Sequence, residues 1–230
     1  ASKIFDNSTS CSSENALVIL DDVYENAIAA LERAGGWRCD RTECENVITT
    51  LWTGGKLNRS IIAKDAAILA EAMNLREGAK GAKFFMVEQD TVGGKHTLAD
   101  EKLSLVLTIY RAKDFDEAKK TVAAILNVTG KGHSVGIHTK DDARARELAQ
   151  ATDVVRVLVN QAHTFGNGGG FNNALPFTLS MAGGTWAGNT LSDNLNYNCF
   201  INITHLVTTI PEDKPSEEAL FGAYWQRYGK

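Results

Sequence analysis

Between Leu103 and Asn160, short β-branched and aliphatic runs alternate with helix-periodic segments, and no other feature constrains the fold as tightly. Leu103 to Tyr110 reads as a strand. Asp114 follows as a helix N-cap with Glu117 three residues on, the capping-box spacing with Asp in place of Ser or Thr. Val122, Ile125 and Leu126 make one helical stripe that Gly130 ends, and Ser134 to Thr139 reads as the next strand. A second helix, Asp141 to Ala151, precedes a strand over Val154 to Asn160. Parallel strands need a crossover, usually helical, so two successive strand–helix–strand units predict a parallel sheet.

Upstream, the same reading predicts a strand over Ala16 to Leu20, helices over Tyr24 to Ala34, Thr42 to Trp52 and Ser60 to Met73, and a short strand over Phe84 to Val87. The expected fold is α/β, a three-layer, doubly wound, mostly parallel sheet. From Gln161 to Gly188 the pattern gives way to a glycine-rich stretch containing Gly166, Gly168, Gly169 and Gly170. Such glycines either let backbone approach a ligand or form a permissive surface loop, and spacing does not choose between them. Phe200 to Ile210 alternates like a strand, and Pro211 to Pro215 reads as a hinge. Leu220, Phe221, Tyr224, Trp225 and Tyr228 then share a helical face that must pack on this chain or on another subunit. We expect a main domain over 1–197 and a C-terminal strand and helix over 198–230.

At 230 residues the chain can bury a sizeable core in one domain. Its formal net charge of -4 gives no general electrostatic reason to expect nucleic acid. No apolar stretch approaches the roughly 18 residues that span a bilayer, and the first residues lack the apolar core of a secretory signal. A cytoplasmic setting without membrane partners is expected. Cys11, Cys39, Cys44 and Cys199 are too few for a disulfide framework. Cys39 and Cys44 lack metal-ligand spacing and the histidines are dispersed, so no metal is expected.

Cys11 sits in the polar segment Asp6 to Asn15, in a loop about to enter a strand. A thiol there is either a nucleophile or a small buried hydrophobe. Only the thiolate attacks, so the choice depends on a neighbouring base, positive charge or backbone dipole.

The segment Asp6 to Glu14 resembles the cysteine motif of the CoA-acylating branch of the aldehyde dehydrogenase superfamily, and further motifs follow in the family's order. Ala99-Asp100-Glu101-Lys102-Leu103-Ser104, with Ala112-Lys113-Asp114-Phe115 after it, is similar to the family's EKLSPVL and AKDF stretch. Gly132-His133-Ser134 resembles its Gly-His-Thr motif. Thr178 to Asn189 resembles its Gly-Ser-Trp-Gly-Gly-Asn segment. The similarity runs from about Phe5 to about Thr209.

What this resemblance implies is the catalytic domain of an aldehyde dehydrogenase that uses NAD or NADP, with coenzyme A as co-substrate. Cys11 would attack an aldehyde carbonyl, with its own backbone N–H as oxyanion donor, and the resulting thioester would pass to coenzyme A. His133 would handle protons in the CoA step, and Glu101 would accept hydrogen bonds from the nicotinamide ribose. Leu105 departs from the family, which usually has proline there. Gly166, Gly168 and Gly169 would lie near the substrate or CoA channel. Glu14, three residues after Cys11, carries no assigned role, and Arg156 is either an anion partner or the mate of a structural acid. Members of the superfamily carry a cofactor-binding half ahead of the cysteine. No Gly-x-Gly-x-x-Gly follows a predicted strand here, so that half is expected to be absent from this chain. A short aldehyde, such as anionic succinate semialdehyde or sulfoacetaldehyde, and a second copy of the chain are the expected partners. The competing readings are a dehydrogenase that hydrolyses its thioester and a non-catalytic oligomerisation module.

Overall fold

The framework is a four-stranded parallel sheet with strand order β1-β6-β5-β2 in a computed structural model that describes all 230 residues. In chain order the elements are β1 (Ala16–Leu20), α1 (Tyr24–Arg33), β2 (Gly36–Arg38), α2 (Arg41–Leu51) and the short antiparallel pair β3 (Trp52–Thr53) and β4 (Lys56–Leu57). They continue through α3 (Ala66–Ala72), β5 (Phe84–Gln89), β6 (Val106–Ala112), α4 (Phe115–Val128), β7 (Val135–Ile137), α5 (Asp142–Ala151) and β8 (Val157–Val159). The short α6 (His163–Asn167) and the terminal α7 (Glu217–Tyr228) complete the set.

β5 and β6 are central, and Phe84 to Val87 and Val106 to Tyr110 are all buried. A parallel strand covered on both faces reads as a continuous apolar run rather than an alternation, as both of these do. In register, Phe85 pairs with Val106 and Ala16 with Thr108. The main core gathers Phe85, Met86, Val47, Leu51, Leu69 and Met73 between this sheet and helices α1 to α3.

The two predicted crossovers are present, but they do not extend one sheet. β7 and β8 pair in parallel as a separate ladder, continued by a bridge between Gly132 and Val154, and α4 carries the chain from the first ladder to the second. Leu126, Val135, Leu148 and Val154 form a small core of their own beneath it. Asp114 caps α4 by accepting from the Glu117 N–H at 2.8 Å, whereas Glu117 reaches the backbone N–H of Lys113 rather than that of its cap. α2 has the complete box, with Asp40 and Glu43 as reciprocal partners.

Glu43 also accepts from Trp37 Nε1 at 3.2 Å and from the backbone N–H of Arg76 at 2.9 Å, with the Arg76 guanidinium closing on it at 2.9 Å. Burial works against its charge, yet these donors hold its carboxyl down at about 2. The exposed Arg76 end contributes little, so the expected cost of Glu43→Ala comes from the stranded Trp37 and backbone donors. That cost is about 3 kcal/mol, read as the shift in urea midpoint. A loss below about 1 kcal/mol would mean these donors find water instead.

Two expected elements are corrected. Ser60 to Met73 is not one helix: a 3₁₀ turn over Arg59–Ile61 is followed by Ala63 at φ 58°, and α3 begins only at Ala66. A left-handed alanine interrupts helical hydrogen bonding whatever the apolar spacing on either side. Phe200 to Ile210 is not a strand and has no ladder partner. Alternation marks a half-buried strand only where a sheet edge is available to pair with it. The chain divides into two units, Ala1–Cys199 and Phe200–Lys230, and the second consists of this irregular segment and α7.

Candidate active site

Cys11 lies in a turn before β1 that is closed by the Ser13 N–H donating to the Ser10 carbonyl at 2.9 Å, and its side chain is exposed. The segment leading to it is strained. Asp6, Asn7 and Ser8 all have positive φ, at 48°, 49° and 64°, a conformation that costs non-glycine residues about 1 kcal/mol or more each. Side-chain anchors, of which Lys3 is buried, hold it. The Lys3 ammonium donates to Ser8 Oγ at 2.8 Å and to the Ser104 carbonyl at 2.9 Å, tying the segment to the chain entering β6. Asn7 Nδ2 donates to Asp65 at 2.8 Å, and Lys102 Nζ donates to the Asn15 carbonyl at 3.0 Å. Glu14 hydrogen-bonds Ser2 Oγ and accepts from the His163 N–H at 3.3 Å, which docks the start of α6 on the turn. Phe5 and Phe165 meet edge to face with ring centroids 5.3 Å apart across the same junction.

His133 comes from a part of the chain 122 residues away, and its Nε2 lies 3.2 Å from Cys11 Sγ. The Gly132-His133-Ser134 turn is built on close backbone approach. Gly132 has φ 83°, and a Cβ there would stand 2.3 Å from the Gly183 carbonyl oxygen. The segment Gly183 to Ala187, which shares the family's glycine and tryptophan pattern, is therefore the wall against which the histidine turn is set. Behind His133, Nδ1 is 2.6 Å from Ser134 Oγ, and Ser134 Oγ accepts from Asn167 Nδ2 at 3.0 Å.

The electrostatics favour uncharged partners. Burial, with His163 and Arg156 nearby, holds His133 down at about 4, so the imidazole is neutral across the physiological range. Partial desolvation by the surrounding loops and the Glu101 carboxylate push the Cys11 thiol up, opposed by its own backbone N–H and by Arg156. Alkylation of Cys11 is expected to rise about tenfold per pH unit through neutrality, as the thiolate fraction grows, with no inflection near the ordinary histidine value. An inflection near that value in the rate of iodoacetamide labelling would instead indicate an imidazolium–thiolate pair.

Glu101 influences Cys11 electrostatically but accepts no hydrogen bond, and its carboxyl is itself raised by burial and by Asp100. Arg156 is neither paired with an acid nor free. Its guanidinium donates to Asn194 Oδ1 at 2.9 Å, to the Ala182 carbonyl at 2.9 Å and to the Ser192 carbonyl at 3.4 Å. The three glycines of the following stretch serve close packing. Gly166 is buried within α6, Gly168 caps it and accepts from the Thr178 N–H at 2.9 Å, and Gly169, at φ 83°, lies against the carbonyls of Leu175 and Pro176. Ser134 lay within a recognised segment without a role, and Asn167 and Asn194 are members of the site that no motif singled out. Asn167 and Asn194 are fully buried, and no sequence pattern marks a buried asparagine.

Comparison with known proteins shows which class this parallel α/β scaffold resembles. The chain is homologous to CoA-acylating aldehyde dehydrogenases. It is 44% identical over its full length to a sulfoacetaldehyde dehydrogenase (acylating) of Cupriavidus necator, covering 47% of that protein. It is 32% identical over 95% of its length to a succinate-semialdehyde dehydrogenase (acetylating) of Clostridium kluyveri, covering 48% of that protein. An acetylating aldehyde dehydrogenase of Geobacillus thermoglucosidasius superposes with a TM-score of 0.84 at 29% identity, over 92% of this chain and 47% of the other. The chain thus spans about half the length of the relatives it matches. No protein-family model matches it. No helix is long and apolar enough to cross a membrane.

Proposed function

We propose that this chain carries the thiol chemistry of a CoA-acylating aldehyde dehydrogenase acting on a short anionic aldehyde of the sulfoacetaldehyde kind. The observation that carries the reading is the 3.2 Å approach of His133 Nε2 to Cys11 Sγ, between two segments that each resemble a motif of that family. The Cys11 sulfur adds to the aldehyde carbonyl, and the oxygen takes the electron pair of the C=O bond, with the Cys11 backbone N–H as a donor for it. Bound NAD or NADP would supply the hydride acceptor for the carbon held on Cys11. The Glu101 carboxylate, unpaired in this structure and close enough to influence Cys11, fits a ribose diol and would orient that ring. The acyl group is then held on Cys11 as a thioester. Coenzyme A loses its thiol proton to a base in solution, its sulfur bonds to the acyl carbon, and the Cys11 sulfur departs with the electrons of the broken bond beside the His133 imidazole.

The test joins this chain to the part of the Cupriavidus necator relative that it does not cover and supplies sulfoacetaldehyde with NAD or NADP, with and without coenzyme A. Sulfoacetyl-CoA formed only with coenzyme A present is the expected product. Free acid formed at the same rate without coenzyme A would overturn the acylating reading in favour of thioester hydrolysis. The exposed Leu206, Val207, Ile210, Leu220 and Tyr224 of the Phe200–Lys230 unit support assembly into a homo-oligomer. A monomer in sedimentation at micromolar concentration would end that part of the proposal.

A further inference from the structure

His133 has Cys11 on one side of its ring and Ser134 on the other, so the nitrogen that carries the single proton of the neutral ring decides what it can do for sulfur. Ser134 Oγ has two hydrogen-bond partners, His133 Nδ1 at 2.6 Å and Asn167 Nδ2 at 3.0 Å. An amide nitrogen can only donate, so it occupies a lone pair of the hydroxyl. The hydroxyl hydrogen is left with one acceptor in this network, which is Nδ1. The Asn167 amide is fixed in the sense this requires. It is fully buried, and turning it over would strand both its N–H donors, whereas as it stands it strands one donor and Oδ1. Orphaned donors are the rarer case in folded proteins. Its position is braced from behind. Asn194 Nδ2 donates to the Asn167 carbonyl at 2.8 Å and to the Pro176 carbonyl at 2.9 Å, and Asn194 Oδ1 accepts from Arg156 Nε at 2.9 Å.

We infer that Asn167 is a positioning residue which, through Ser134, keeps the proton of His133 on Nε2, so that the imidazole faces Cys11 as a hydrogen-bond donor to its sulfur. The inference rests on the Cys11–His133 reading above and assigns it a direction. A donor at Nε2 stabilises the Cys11 thiolate before it attacks. It also receives the same sulfur when the thioester carbon–sulfur bond breaks and its electron pair returns to Cys11. The proton of the incoming coenzyme A thiol then leaves to a base in solution, because Nε2 has no lone pair to take it.

Nitrogen-15 spectra of the histidine-labelled chain at neutral pH, with the His133 signals identified by their loss in His133→Gln, read the tautomer directly. The expected result is a protonated Nε2 in the unsubstituted chain. Asn167→Asp supplies an acceptor in place of a donor, reversing the Ser134 hydroxyl and moving the proton to Nδ1. The rate of Cys11 alkylation should then fall about tenfold, through loss of the charge-assisted hydrogen bond that stabilises the thiolate. Ser134→Ala should give a mixture of tautomers, and Ser134→Thr should restore the native one, so the test stands even if the buried Asn167 variant fails to fold. A protonated Nδ1 in the unsubstituted chain, or an unchanged tautomer in Ser134→Ala, would overturn the inference. The underlying pair is tested separately: His133→Gln with an unaltered Cys11 alkylation rate would remove the Cys11–His133 reading while leaving the tautomer result intact.

Discussion

Cys11→Ala is expected to lower aldehyde-dependent reduction of NAD or NADP by at least about a thousandfold in the polypeptide that also carries a cofactor-binding half, because no other group can form the covalent intermediate. The melting temperature should barely change, since the side chain is exposed and its Sγ touches His133 without supporting the core. Mass spectrometry after incubation with an acyl-CoA should show one acyl group on the unsubstituted protein and none on the variant. His133→Gln should retain the acyl-accepting sulfur but slow turnover by roughly a hundredfold or more, the usual cost of removing a positioned hydrogen-bond donor from a developing anion. Full turnover in Cys11→Ala would end the thioester mechanism for this chain.

Gly132→Ala should do the greatest damage of any single methyl group added near the site. The added carbon would need φ 83°, and it would stand 2.3 Å from the Gly183 carbonyl oxygen and 2.7 Å from the Ala187 Cβ. Relief by movement is blocked, because the Gly132 N–H donates to the Asp153 carbonyl at 2.7 Å and its carbonyl accepts from the Val155 N–H at 3.3 Å. The left-handed cost and the overlap together should destabilise the fold by on the order of 3 kcal/mol. The His133 turn would be pushed from its wall, so Cys11 alkylation should change as well. Gly55→Ala is the matching control. Its φ of 71° is comparable and nothing lies within 4 Å, so only the conformational part, about 1 kcal/mol, should appear in the urea midpoint. Equal losses in the two variants would show that the contact with Gly183 is not a rigid one.

Local chemistry wrote much of the scaffold into the sequence. The Asp114 cap, the apolar stripe of α4 and the mostly apolar runs that became β5 and β6 depend on neighbours within a few residues, and they read correctly from spacing. Two of the failures share a cause. Phe200 to Ile210 has the alternation of a strand and no edge to pair with, and the first crossover links two ladders where one was expected. Both outcomes depend on which distant backbone is available for hydrogen bonding, which no window of sequence contains.

The site divides along the same line. The motif segments around Cys11, Glu101 and His133 could be recognised because residue types at fixed short spacing survive as patterns in a linear chain. Their junction could not, since Cys11 and His133 are 122 residues apart and meet only because the sheet and the Gly132–Gly183 contact bring two loops together. The sequence by itself determined the strand–helix alternation and the recognisable segments that it carries. Only the tertiary structure decided that Ser134, Asn167, Asn194 and Arg156 stand behind the histidine, because buried polar residues are selected by the partners they must satisfy and not by their neighbours in the chain.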